Sequence, residues 1–173
     1  MINLDPNDPI YVSKSRSEIR AKAGMEDERF VSLKSYPDKL TYELVGAASE
    51  VLGANADAIL SAFGEHWVLY TAKEGYGEML DFTGSTLIEF LSNLDLLHLR
   101  VQNMMPNLQP PKFECKKISE NEVDLHYYSD REGLVPMVVG LLHGLGKRFG
   151  VNVEIEHKQK KASGEPEIFT VTW

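Results

Sequence analysis

The sequence predicts an α+β fold in which helices come first and a four-stranded antiparallel sheet builds much of the C-terminal part. Three observations carry this. Apolar residues recur at steps of three and four from about Lys14 to Met105, the period of amphipathic helices. After Pro106, Pro110 and Pro111 the period becomes two, in the runs Phe113–Ile118, Val123–Tyr128, Val151–His157 and Glu167–Thr172. These runs fall into two pairs with short polar connections, Ser119-Glu120-Asn121 and Ser163-Gly164-Glu165-Pro166, which reads as two hairpins.

Composition narrows the class. The chain has 173 residues, 43% hydrophobic and 25% charged, which is ordinary for a soluble globular domain, and neither a repeat nor a linker divides it. We read residues 1–173 as one domain with an irregular N-terminal segment, 1–13. The net charge of −8 argues against partners that are nucleic acids or anionic membranes. Met1–Pro9 lacks the basic and apolar regions of a secretory signal, and no later run is long enough to span a bilayer, so a cytoplasmic location is expected. Cys115 is the single cysteine. That excludes an internal disulfide and a cysteine zinc site, and makes a small buried hydrophobe its simplest role.

The elements follow in order. Pro6 and Pro9 among Asn and Asp argue for an irregular lead-in through Val12. A short helix, Lys14–Ala23, closes at Gly24. Pro37 marks the first turn of a second helix, whose buried face is Leu40, Leu44, Ala47, Ala48 and Val51 and whose stop is Gly53. Asn55 is placed to cap a third, running to about Thr71, with Ile59, Leu60, Phe63, Trp67 and Tyr70 as its stripe and Gly75 and Gly77 as its break. Thr86–Met105 reads as the longest helix, capped by Ser85 or Thr86 and stopped by Pro106. Leu134–Phe149 is very apolar, and its Gly140, Gly144 and Gly146 would let something flat approach.

The sharpest local anomaly is His98, in the centre of the stripe Leu87, Leu91, Leu94, His98, Val101, Met105. Such a histidine alone is most often a satisfied core residue. Downstream, Tyr127, Ser129 and Arg131 alternate, so an extended segment would present two hydroxyls and a guanidinium on one side. Those groups suit carboxylates, and arginine's planar fork binds them in bidentate fashion. The bland alternative is an exposed strand end. Taken with a lone imidazole in an apolar cleft, the set suggests haem, which has two propionates and an iron held by one proximal ligand. His66, His126, His143 and His157 show no paired-ligand spacing and read as surface or partly buried polar residues; Cys115 ranks below His98 as a ligand. No nucleophile–base–orienter set is present, so the chain is not read as an enzyme.

Together these residues resemble the H-NOX family, the haem-nitric oxide/oxygen binding domains related to the sensory domain of soluble guanylate cyclase. The resemblance runs from about Glu18 to the C-terminus. It includes Ser32-Leu33-Lys34-Ser35-Tyr36-Pro37, Val45 to Gly53, Phe63-Gly64-Glu65-His66-Trp67-Val68 and Glu74-Gly75-Tyr76-Gly77-Glu78. Its diagnostic parts are Asn93 to Val101 as the proximal helix, Pro110-Pro111, and the Tyr-x-Ser-x-Arg set Tyr127, Ser129, Arg131.

The resemblance implies haem b (iron protoporphyrin IX) in a cleft enclosed by helices and the sheet. His98 would be its axial ligand, Tyr127, Ser129 and Arg131 would hold the propionates, and Pro111 would press on the porphyrin. Trp67, Met137 and Leu141 would line the distal side. Where oxygen-binding relatives carry a distal tyrosine, this chain has Met137, which cannot donate a hydrogen bond; that favours nitric oxide, with carbon monoxide a further ligand. The mechanism implied is sensing. Nitric oxide would break the bond between His98 and iron, and a histidine kinase or cyclic-dinucleotide enzyme acting in trans would read the change. One departure stands out: Met1-Ile2-Asn3-Leu4-Asp5-Pro6 replaces the family's Met-Tyr-Gly opening helix. This motivates an alternative, an H-NOX-shaped interaction module with another tetrapyrrole or none.

Overall fold

The computed structural model describes residues 9–27, 29, 36–106, 108–159 and 165–173. The chain divides into two units, residues 1–60 and 61–173. The first holds helix α1, Pro9–Lys22, and helix α2, Asp38–Leu52. Helix therefore begins earlier than the sequence suggests. Pro9 occupies the first helical position, where its missing N–H costs nothing and its fixed φ is already helical. The rest of the expected lead-in, residues 1–8, lies outside the described residues, as do 32–35 of the motif that ends at Pro37 and positions 163 and 164 of the last turn. The Arg20 guanidinium donates to the carbonyls of Met25 and Glu26, fixing the chain beyond α1. Helix α2 ends as expected at Gly53, in the left-handed region at φ 65°. Lys22 and Glu50 pair between the two helices.

Helix α3, Ala56–His66, is capped by Asn55, whose Oδ1 accepts the Ala58 N–H at 2.7 Å. It passes through a π turn, Trp67–Thr71, directly into α4, Ala72–Asp81. Gly75 and Gly77 do not end it. The disturbance they were expected to cause is confined to Tyr76, at φ −140° and ψ 23°, after which the helix resumes.

The expected long helix Thr86–Met105 is two: α5, Leu87–Ser92, and α6, Leu94–Met104. Asn93 divides them at φ −99°, ψ 3°. Its side chain donates to the Thr83 carbonyl at 2.8 Å, a tertiary bond that competes with an uninterrupted ladder. The N-terminus of α5 has the cap the sequence promised. Thr86 Oγ1 accepts the Glu89 N–H at 3.3 Å while the Glu89 carboxylate accepts from the N–H and hydroxyl of Ser85 at 2.9 and 2.7 Å.

Strands β1, Lys112–Ser119, and β2, Glu122–Tyr128, form one hairpin; β3, Glu154–Gln159, and β4, Glu167–Thr172, form the other. The sheet order is β1-β2-β4-β3, every neighbour antiparallel. Helix α7, Val135–Phe149, joins the hairpins and stops at Gly150, φ 69°. Val123, Leu125, Phe169 and Val171 are fully buried on the sheet's inner face, and join Leu87, Phe90, Leu91, Leu142 and Leu145 in one apolar cluster. Each such side chain contributes roughly 1.5–3 kcal/mol.

Candidate functional site

His98 lies in the second turn of α6, half-buried, because Leu94 and Leu97 anchor the same helix in the core. Its Nδ1 is 3.0 Å from the Pro111 carbonyl. A carbonyl only accepts, so Nδ1 carries the proton and the lone pair is on Nε2. Metal-binding histidines are oriented by this kind of bond. Burial pushes the imidazole below the ordinary histidine value of 6.5, against the smaller upward pull of Pro111 and Asp95, so the ring is neutral near pH 7. Asp95, one turn earlier, accepts the Phe113 N–H at 3.3 Å. Two side chains of α6 thus grip the segment 111–113 that leads into β1.

From this segment a run of rings crosses to the arginine motif. The centroid of Phe113 is 5.5 Å from that of His98 and 5.2 Å from that of Tyr127. Tyr127 is buried on the inner face of β2, but the strand ends at Tyr128, so Ser129 and Arg131 do not continue its alternation. They sit in a serine turn in which Ser129 Oγ accepts the Arg131 N–H at 3.1 Å. The turn brings the three together by another route. Tyr127, Ser129 and Arg131 line one cavity of about 200 Å³ with Glu132, Leu134, Val135 and Glu167. Drug-sized sites run to roughly 300–1,000 Å³. This cavity therefore suits the carboxylate end of a ligand rather than a whole macrocycle.

Trp67 stands in the π turn, a local widening that is often found at functional sites. Met137 and Leu141 stand on α7, and Trp67 and Leu141 pack half-buried against the core. The glycines of α7 do not face an open slot. A Cβ on Gly140 would lie 2.0 Å from the Ser61 carbonyl oxygen, one on Gly144 would lie 2.9 Å from Val68 Cβ, and one on Gly64 would lie 2.3 Å from the Met137 carbonyl oxygen. The flat partner that the sequence suggested is the backbone of α3 and the π turn. Cys115 faces the core from β1, and burial raises its thiol above the usual range, which keeps it protonated and inert.

Two polar residues at the site, Glu167 and His157, escape a reading by motif, and Asp95 carried no role of its own within the stretch Asn93 to Val101. His157 reads from sequence as peripheral, yet its Nε2 is 2.5 Å from Glu167 Oε2, and Glu167 lines the cavity. The available signal was parity: Glu167 alternates with Phe169 and Val171, which points an acid inward. Among the described residues, no group of three or more His, Cys, Asp or Glu could hold a metal ion.

The family model described as haem-NO-binding matches residues 11–157. The chain belongs to the haem-NO-binding family. It is 31% identical over 171 residues to the soluble guanylate cyclase gcy-37 of Caenorhabditis elegans, covering 93% of this chain and 24% of that protein. It is 34% identical over 115 residues to the rat guanylate cyclase soluble subunit beta-2, covering 61% of this chain and 17% of that one. The chain thus spans about a quarter or less of the curated relatives it matches, and corresponds to their sensor domain. Among solved structures it is similar to an oxygen-binding H-NOX domain related to soluble guanylate cyclases, with a TM-score of 0.79 over 94% of this chain and 86% of that chain, at 22% identity. An H-NOX protein from S. oneidensis has a TM-score of 0.82 over 92% of this chain and 85% of that chain, at 21% identity. The expected fold, helices with a four-stranded antiparallel sheet, is that of these haem-binding sensor domains. No helix among the described residues is long and apolar enough to cross a membrane.

Proposed function

We propose that this domain senses nitric oxide with haem b held by His98, and that its output is the release of His98. The observation that carries the reading is the Pro111 carbonyl on Nδ1, which leaves the Nε2 lone pair of a neutral, half-buried imidazole for iron. Tyr127, Ser129 and Arg131 offer two hydroxyls and a guanidinium to the two propionates, which fits the donor set to the cofactor's charge. Pro111, next in sequence to β1 and with its carbonyl on His98 Nδ1, would influence the shape of the macrocycle. Haem iron, when bound, supplies the affinity for diatomic gases.

The chain's own part is to hold and let go. Asp95 and His98 tie α6 to residues 111–113, so a change in what His98 holds would be passed to α6 and to the segment leading into β1. A partner reads that change only if it binds the two states with different free energies. The proposed partner is a separate histidine kinase or cyclic-dinucleotide enzyme. Met137, which has no hydrogen to donate, supports selection of nitric oxide and carbon monoxide over oxygen, and Trp67 and Leu141 would line the distal side with it.

The test is a His98→Gly variant. It should lose the five-coordinate ferrous spectrum and regain it with added imidazole; an unchanged spectrum would refute the assignment. A wild-type protein that stays colourless with haem supplied, yet binds its partner, would establish the alternative of an interaction module with another tetrapyrrole or none.

A further inference from the structure

The carboxylate cavity contains an acid where an anion is to bind. Glu167 stands opposite Tyr127 in the register of β4 with β2, on the same face as Phe169 and Val171, both fully buried. Its side chain is 13% exposed, and it lines the cavity with Tyr127, Ser129 and Arg131. An uncompensated carboxylate there would repel the propionates, and partial burial strengthens the repulsion. The hydrogen-bond partner of Glu167 is His157, opposite Phe169 on β3, with Nε2 2.5 Å from Glu167 Oε2. Its ring stacks on Phe169 at 4.8 Å and 18°, which holds it in place.

We propose that His157 is a positioning residue for the cofactor's carboxylate edge: as the hydrogen-bond partner of Glu167 it fixes and offsets the acid in the wall of the Tyr127–Ser129–Arg131 cavity. The proposal rests on the haem reading above. Loss of that partner leaves the Glu167 carboxylate without its bond beside the propionates. The other charged or titratable groups lining the cavity, among the described residues, are Arg131 and Glu132, from the segment between β2 and α7, and Tyr127, from β2. Lys158 serves the opposite face of the sheet, where it meets Asp124. Haem retention should therefore weaken when the bond from His157 to Glu167 is removed.

The experiment measures the rate of haem transfer from loaded protein to an excess of an acceptor protein at neutral pH. His157→Leu should lose haem roughly tenfold faster than wild type. His157→Arg, which keeps a donor to Glu167, should be as slow as wild type, as should Glu167→Gln. The double variant His157→Leu with Glu167→Gln should also be slow, which separates loss of the Glu167 partner from simple loss of packing. A His157→Leu rate equal to wild type, or a double variant as fast as His157→Leu, would overturn the proposal while leaving haem binding intact. Protein that takes up no haem at all would overturn both.

Discussion

Replacing Gly140 by alanine tests the close packing of α7 on α3. The new Cβ would lie 2.0 Å from the Ser61 carbonyl oxygen, 2.7 Å from its carbon and 2.8 Å from Ser61 Cα, all backbone atoms of α3. A comfortable contact requires the two helices to part by on the order of 1 Å, and neither has a side chain there that can swing aside. Overpacking of this kind costs about 1–3 kcal/mol, and the backbone contact puts Gly140 at the upper end. Alanine's better helix propensity returns about 1 kcal/mol. The net loss is then about 2 kcal/mol, or roughly 4–8 °C in Tm for a chain of this size. The matched control is Gly46→Ala on α2, where a Cβ meets nothing within 4 Å and the variant should gain about 0.5–1 kcal/mol. Thermal unfolding followed by circular dichroism distinguishes them. A Gly140→Ala protein as stable as wild type would refute the close approach of α7 to α3.

Three further outcomes are expected. Asp95→Ala removes the acceptor of the Phe113 N–H and should cost about 1–2 kcal/mol, with faster exchange of that amide; Asp95→Asn, which keeps an acceptor, should restore most of it. Asn93→Ala removes the donor to the Thr83 carbonyl, and chemical denaturation should show a loss of about 1 kcal/mol, with no loss if that bond is only incidental. Burial lowers the His98 value in the folded chain, so its contribution to stability is whole above 6.5, the unfolded value, and drains as pH falls through the lower folded value. The denaturation midpoint of the haem-free protein should therefore fall below about pH 6.5, and less steeply in His98→Gln. Equal slopes would remove His98 as the cause.

The parts that local chemistry determines were open to reading from the sequence. Asn55, Thr86 and Gly53 act where they were placed, because caps and left-handed stops need only their own turn. Alternation gave the four strands. What escaped depends on distant residues. The break at Asn93 is stabilised by Thr83, ten positions away, and the helix continues through Gly75 and Gly77 with Tyr76 alone leaving helical φ and ψ. Gly140 meets Ser61, 79 positions earlier, so its periodicity could say that something comes close but not what.

The site was legible in the same proportion. His98 announced itself as a polar residue in an apolar stripe, and Tyr127, Ser129 and Arg131 do line one cavity. Their alignment comes from a serine turn rather than from strand alternation. Glu167 and His157 had no motif to reveal them, and Asp95 lay within the stretch Asn93 to Val101 without a role of its own. Their roles arise from the bond to β1 and from the register of β4 against β2 and β3, which one-dimensional patterns do not contain.

The most direct measurement is the absorption spectrum of the reduced, haem-loaded protein before and after nitric oxide is admitted. If His98 is the axial ligand and its release is the output, the starting spectrum is that of five-coordinate, histidine-bound iron, and the gas converts it to a five-coordinate nitric oxide complex lacking histidine. Failure to take up haem, or a complex that keeps the histidine and stays six-coordinate, would contradict the account.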